Sequence, residues 1–249
     1  MTSLPLFIAI KYLRGKKSGF LSFVSSAGFI GVALGVAVLI LVSSVMNGFE
    51  KELRERVLQS IPHASIIGGI KVDQVSQVRD ILSESKEIEA TSPYIESQGL
   101  ISSSESLKGI YIFGVDSILE QNVSIVSSRI IDGSWNSINE EKYGVIIGDI
   151  LAFQLGVNVG DMVNVLVPDT TLGLAGILPR TKRFKVTGIF SIGAPEMDQS
   201  FAYINITNAQ KLLRMNNAVH GIRIRYKDLF QAPNLVKLDT VKVNQALNT

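Results

Sequence analysis

Apolar and charged positions divide the chain into two unlike parts. From Ser18 to Phe49 no charged residue occurs over 32 consecutive positions. The apolar heart, residues 20–46, exceeds the roughly 20 residues that a helix needs to cross a ~30 Å hydrocarbon layer. In lipid a lone segment satisfies its backbone only as a helix, so the spacing predicts a transmembrane helix over 20–47. A cleaved signal peptide has an apolar run of about 7–15 residues ending at a small-residue cleavage site. This run is about twice as long and passes directly into Glu50–Glu55 with helical patterning unbroken.

Charged and apolar residues alternate on both sides of the span. Before it, Leu4, Phe7, Ile8, Ile10, Tyr12 and Leu13 lie among Lys11 and Arg14, a pattern that suits an interfacial helix within 1–19. After it, Phe49, Leu53 and Val57 fall on one helical face, with Glu50–Arg54 and Glu52–Arg56 at i,i+4 spacing. This predicts a stalk helix over 48–61, ended by Pro62. Lys11, Arg14, Lys16 and Lys17 precede the span, and short basic flanks stay in the cytoplasm. The N-terminus is therefore expected inside and residues 62–249 outside.

From His63 onward short β-like runs alternate with helical ones. Strands are expected at 64–67, 109–115, 144–147, 162–167, 184–190, 201–204 and 221–226, and helices at 72–85, 149–155 and 207–215. Asp132-Gly133 and Gly160-Asp161 read as turns. The sum is a mixed α+β domain large enough for its own core. Beyond Tyr226 the sequence reads as a polar tail without strands. No second apolar stretch follows, so the chain is expected to be the front part of a longer protein.

Composition agrees with the division. The 249 residues are 46% hydrophobic and 18% charged, with a net charge of +2 and positive mean hydropathy. A soluble domain carries about 25% charged residues. No basic stripe with interleaved aromatics speaks for nucleic acid. Without cysteine there is no disulfide framework, thiol nucleophile or thiolate metal site. His63 reads as a turn residue and His220 as a strand-edge residue. Glu196 and Asp198 lack a companion base, and no GxxxxGK[ST] phosphate loop occurs. No enzyme activity, cofactor or metal is expected in this chain.

Two features suggest binding. Ala27, Gly31 and Gly35 recur at four-residue spacing within the span, and GVALG is a small-xxx-small pattern through which another helix can approach closely. Between two strong strand patterns lies an apolar connection, Thr171-Leu172-Gly173-Leu174-Ala175-Gly176-Ile177-Leu178-Pro179. Surface connections are normally polar. These side chains must pack on their own domain or await a partner. Beside them Arg180, Lys182 and Arg183 form a basic cluster, which reads as a solvated strand edge or an interface rim.

The runs LVSSVMNGFE from Leu41, LRERVLQSIPHA from Leu53, LFIAIKYLRG from Leu6 and ILPRTKRFKVTGIF from Ile177 resemble the permease subunits of lipoprotein-releasing ABC transporters, the LolC/LolE family. Ala209-Gln-Lys-Leu-Leu is similar to the same family. The resemblance implies four transmembrane helices, with a periplasmic α+β domain of the macrolide-exporter periplasmic-core type between the first two. It implies a second permease subunit, identical or LolE-like, and a cytoplasmic ABC ATPase dimer that binds ATP and Mg. It further implies a lipoprotein substrate and a periplasmic lipoprotein carrier. Thr171–Pro179 match the carrier-capturing hook loop, with Leu174 near its tip, and Lys182 matches a position of the basic pad. Asn164 and Thr181 depart from the pattern, standing where relatives can carry longer polar or basic side chains. The hook favours the LolC-like type or a hybrid. The alternative is a mechanotransmission or signalling permease of the macrolide-efflux or cell-division type.

Overall fold

A computed structural model describes Ile8, Lys11 and residues 19–53, 63–104, 106–168, 179–228 and 231–247. It divides into two units, 1–52 and 53–249.

The first unit is built on one helix, α1 (Gly19–Leu53). Its stretch Phe23–Phe49, 27 residues with mean hydropathy 2.6, is long and apolar enough to cross a membrane. Large apolar side chains all round it, among them Phe23, Phe29, Leu34, Leu39 and Val45, are exposed. A helix apolar on every face suits lipid rather than water. The helix continues without interruption through residue 49 to Leu53. Residues 54–61 of the expected stalk, and nearly all of the expected interfacial helix, lie outside the described residues.

The second unit runs β1 (Ala64–Ile67), α2 (Val72–Ser83), β2 (Ile88–Ser102), β3 (Leu107–Val115), α3 (Ser117–Glu120), β4 (Ile130–Gly133), α4 (Ser137–Glu140), β5 (Gly144–Gly148) and α5 (Asp149–Leu155). It continues with β6 (Met162–Val167), β7 (Arg180–Phe190), α6 (Pro195–Asp198), β8 (Phe201–Asn205), α7 (Ile206–Leu213), β9 (Gly221–Tyr226) and α8 (Ala232–Leu247). The described strands form one mixed sheet in the order β1-β9-β2-β3-β8-β5-β7-β4, with β6 bridging β2 and β7.

Two strands were not apparent in the sequence. β2 carries Pro93 and a mostly polar run, and is held by its neighbours: β9 and β3 along most of its length, then β6 at Leu100–Ser102. Gly99 lets the β6 backbone come close, since a Cβ there would lie 2.5 Å from the Leu166 carbonyl oxygen. Asp132-Gly133, expected as a turn, is the end of β4, paired with β7 across a register shift. The expected polar tail is also corrected. Residues 232–247 form α8, which buries Ala232, Asp239 and Val243. Asp239 interrupts the apolar stripe, and its burial is made tolerable by the Tyr226 hydroxyl, which donates to it at 2.9 Å. Burial, then Asp239, pushes the Tyr226 hydroxyl well above its ordinary pKa.

The sheet is covered on both faces. The main core takes Ile112, Val145, Val165, Phe184, Ile204, Ile222 and Ile224 from the strands, closed by Val78, Leu151 and Leu212 from helices. A smaller cluster on the other face gathers Phe113, Trp135, Ile146, Phe190 and Tyr203. At its margin Arg223 lies between the rings of Tyr94 and Phe113, 4.6 Å from each centroid. Its Nη1 donates to Glu120 Oε1 at 2.8 Å, and both side chains are buried. Asp116 caps α3, accepting from the Ile118 and Leu119 amides, and so fixes the helix that carries Glu120.

Candidate functional site

β6 and β7 make an antiparallel hairpin whose register runs from Met162↔Lys185 to Val167↔Arg180. Branched residues explain one face of it: Val163, Val165 and Val167 are fully buried against the main core. The connection 168–179 emerges from this stem. Of the expected hook, Thr171, Leu172, Gly173, Leu174, Ala175, Gly176, Ile177 and Leu178 lie outside the described residues, and Pro179 is exposed.

Strand alternation divides the three basic residues between two faces of the sheet. Arg180 and Lys182 share the face of Val165 and Val167, beyond the edge of the main core. Arg183 stands on the opposite face, paired across the strands with Asn164, while Thr181 pairs with Leu166. The sequence cluster is therefore two sites. The structure gathers Arg180, Thr181 and Lys182 with Tyr143, Asn208, Lys211, Leu212 and Arg214 around a concavity of about 340 Å³. Arg183 instead lines a second concavity of about 670 Å³ with Ser103, Ser104, Asp161 and Asn164.

Within the first concavity Lys182 Nζ lies 4.1 Å from the centre of the Tyr143 ring. The ring is fixed edge-on against Phe184 at 5.7 Å, so a cation–π contact of ~0.5–1 kcal/mol holds the ammonium over the stem. Further along β7, Lys185 pairs with Glu141 at 3.1 Å in a half-exposed ion pair. Lys211 and Arg214 come from α7, whose start is capped by Asn205 accepting from the Thr207 amide. The helix lies close to β3 because Gly114 faces Ala209; a Cβ at Gly114 would come within 2.2 Å of the Ala209 Cβ. Lys211 and Arg214 had no signal in the sequence beyond an ordinary helical spacing, and only the packing of α7 on the sheet brings them beside β7.

The second face near the stem is more open. Leu100, Leu107, Tyr111 and Met162 are exposed there, on the same side as Asn164, Thr181 and Arg183. An apolar patch with a cationic border has the make-up of a protein-contact surface.

The remaining polar candidates are structural. His63 Nδ1 accepts from the Tyr226 amide at 3.2 Å, and His220 Nδ1 accepts from the Glu96 amide at 3.0 Å. Burial, then Arg225, lowers the His63 pKa. Asp198 accepts from the amides of Ile192, Gly193 and Ala194 at 2.9–3.1 Å, fixing the turn before α6; burial raises its pKa. Asp149 and Asp161 accept from nearby amides at a helix start and a turn. Among the described residues no group of three or more His, Asp or Glu side chains is arranged to hold a metal ion. On α1, Gly31 and Gly35 have open space where a Cβ would stand, and Ala27 is exposed with them.

An apolar helix followed by this mixed α+β domain defines the class: the chain belongs to the MacB-like periplasmic core domain family, whose model matches residues 29–237. More particularly, it is similar to transmembrane proteins of lipoprotein-releasing systems. It is 36% identical over 244 residues to LolC of Xylella fastidiosa, covering 96% of this chain and 59% of that protein. LolC of Neisseria meningitidis serogroup B is 36% identical over 238 residues (94% and 57%). LolE of Haemophilus influenzae is 30% identical over 238 residues (93% and 57%). The chain thus spans just under three fifths of the length of these relatives.

Proposed function

We propose that this chain is the N-terminal part of a permease subunit of an ABC transporter that extracts outer-membrane lipoproteins from the inner membrane and hands them to a periplasmic carrier. The observation that carries the proposal is the 36% identity to LolC over 96% of the chain. α1 is the first transmembrane helix of an inner-membrane protein, its N-terminus cytoplasmic and the α+β domain periplasmic, in line with the basic residues before the span. The chain itself is not catalytic. ATP and Mg belong to a separate cytoplasmic ATPase dimer, and a second permease subunit packs against the small-residue face of Ala27, Gly31 and Gly35. The connection 171–179 captures the carrier through apolar contacts, with Arg180, Lys182 and Arg183 at its base.

The test is capture of the purified carrier by the membrane-extracted protein. Leu174→Asp places a charge at the loop's apolar tip and is expected to abolish capture while the melting temperature stays that of wild type. Undiminished capture by that variant would remove the hairpin from the mechanism. Co-purification of the full-length gene product with an ATPase, and release of lipoproteins from membranes, separates this role from a macrolide-efflux or signalling permease.

A further inference from the structure

The sheet has two outer strands, and they are not alike. β4, at one end of the order, carries the charged Asp132 and a register shift between Ile130 and Asp132. A charge and a bulge are common means by which an outer strand is kept from recruiting another chain. β1, at the other end, has neither. Its four residues are Ala-Ser-Ile-Ile, and its register against β9 runs unbroken from Ala64↔Ile224 to Ile67↔Gly221. The Ile66 carbonyl points at β9, where a Cβ on Gly221 would collide with it, and the Gly68 amide donates to the His220 carbonyl at 3.2 Å. Ladder bonds alternate along an antiparallel strand. The amides and carbonyls of Ser65 and Ile67 therefore point off the sheet, where no described strand pairs with them. α8 packs on β1 from the main-core face, where Ile66 is buried. On the opposite face Ser65 is exposed and Ile67 is 75% exposed.

We propose that β1 is a strand-addition site: the outward amides and carbonyls of Ser65 and Ile67 pair with an extended segment of the lipoprotein cargo. This rests on the permease reading above. Size decides between occupants. A strand of four residues is about 13 Å long, whereas a stable pairing of two protein copies buries ~1,200–2,000 Å². So short an edge suits passing contact with a flexible segment, not a lasting second copy. Chemistry decides the kind of segment. Strand addition draws its affinity from main-chain hydrogen bonds, and the main chain is what cargo proteins of different sequence have in common. An uncharged edge repels neither acidic nor basic segments.

The probe is a biotinylated heptapeptide, Lys-Thr-Val-Thr-Val-Thr-Lys, with a photoreactive benzophenone side chain in place of the central threonine. Irradiated with the membrane-extracted chain, it is expected to label the stretch 64–69. The same probe N-methylated at its central amides lacks the ladder donors, so labelling is expected to fall about tenfold. Ser65→Pro removes an outward amide that β9 does not use, a place where an outer strand tolerates proline. It is expected to lower labelling about tenfold with an unchanged melting temperature. Should it melt lower, Ile67→Lys, which puts a charge at the exposed rim and leaves every amide in place, is expected to lower labelling likewise. Equal labelling by both probes, or wild-type labelling of these variants, overturns the inference. A dimer in sedimentation that Ser65→Pro dissolves, with no labelling, assigns the edge to a second copy and overturns it too. In the full-length gene product with its ATPase, Ser65→Pro is expected to slow lipoprotein release severalfold while carrier capture is unchanged. Release at the wild-type rate overturns the inference and leaves the permease reading standing. A wild type that releases no lipoprotein removes both.

Discussion

Replacing Arg223 by methionine should destabilise the α+β domain more than any loss of surface contact could. The guanidinium is 7% exposed and its partner Glu120 is fully buried, 2.8 Å away. Two aromatic faces, each 4.6 Å distant, supply the rest of the cation's surroundings. Glu120 Oε2 already makes no hydrogen bond among the described residues. Removing the cation therefore strands a carboxylate that has no other ion-pair partner among the described residues. Stranding one member of a buried pair costs ~3–5 kcal/mol. In a domain of ~150–250 residues each kcal/mol lowers Tm by about 2–4 °C, so the expected fall is ~6–20 °C. Replacing both members, Glu120→Leu with Arg223→Met, removes the desolvation burden along with the attraction. That double variant should return to within ~1 kcal/mol of wild type. The assay is urea unfolding followed by Trp135, the chain's single tryptophan. Trp135 donates from Nε1 to the Ser117 carbonyl at 2.9 Å, and Ser117 lies in the same short helix as Glu120. A single variant costing under ~1 kcal/mol, or a double variant no better than the single, would refute the account of this pair as mutually dependent.

Gly114→Ala should cost about 1–3 kcal/mol, because the new methyl would lie 2.2 Å from the Ala209 Cβ and α7 must shift to admit it; an unchanged melting temperature would show that α7 is not tightly seated. Stability should also fall on acidification through His63. Its folded pKa lies below the ordinary 6.5, so the unfolded chain binds the extra proton first. The contribution is fully present above ~6.5 and is lost as pH falls through and below that value. His63→Gln should flatten this part of the urea-midpoint profile, and a variant with the same slope would assign the acid sensitivity elsewhere.

Sequence periodicity set the bounds of several elements. β1, β6, β9 and α5 have the limits that alternation and turn residues imply. The apolar helix follows from a charge-free run alone, because hydrocarbon leaves a backbone no other way to satisfy its hydrogen bonds. Length and hydropathy are likewise local facts, whereas His63 and His220 take their partners, the Tyr226 and Glu96 amides, from distant strands. β2 was not legible for the opposite reason. Its side chains are mixed, and its strand character comes from ladders to β3, β9 and β6 that no local window contains. α8 was obscured by a single aspartate whose partner, Tyr226, lies on another element.

The candidate site shows the same boundary. That an apolar connection sits beside a basic cluster is written in the order of residues 171–183. That the cluster faces two ways is a consequence of strand alternation, visible once Arg180 and Lys182 are placed in register with Val167 and Val165. That Lys211 and Arg214 join one of those faces depends on a glycine–alanine contact between β3 and α7. Sequence determines which residues are charged and which stretches prefer lipid, since these are properties of side chains and short windows. Only tertiary structure decides which charges share a concavity, because residues far apart in the chain meet there through packing.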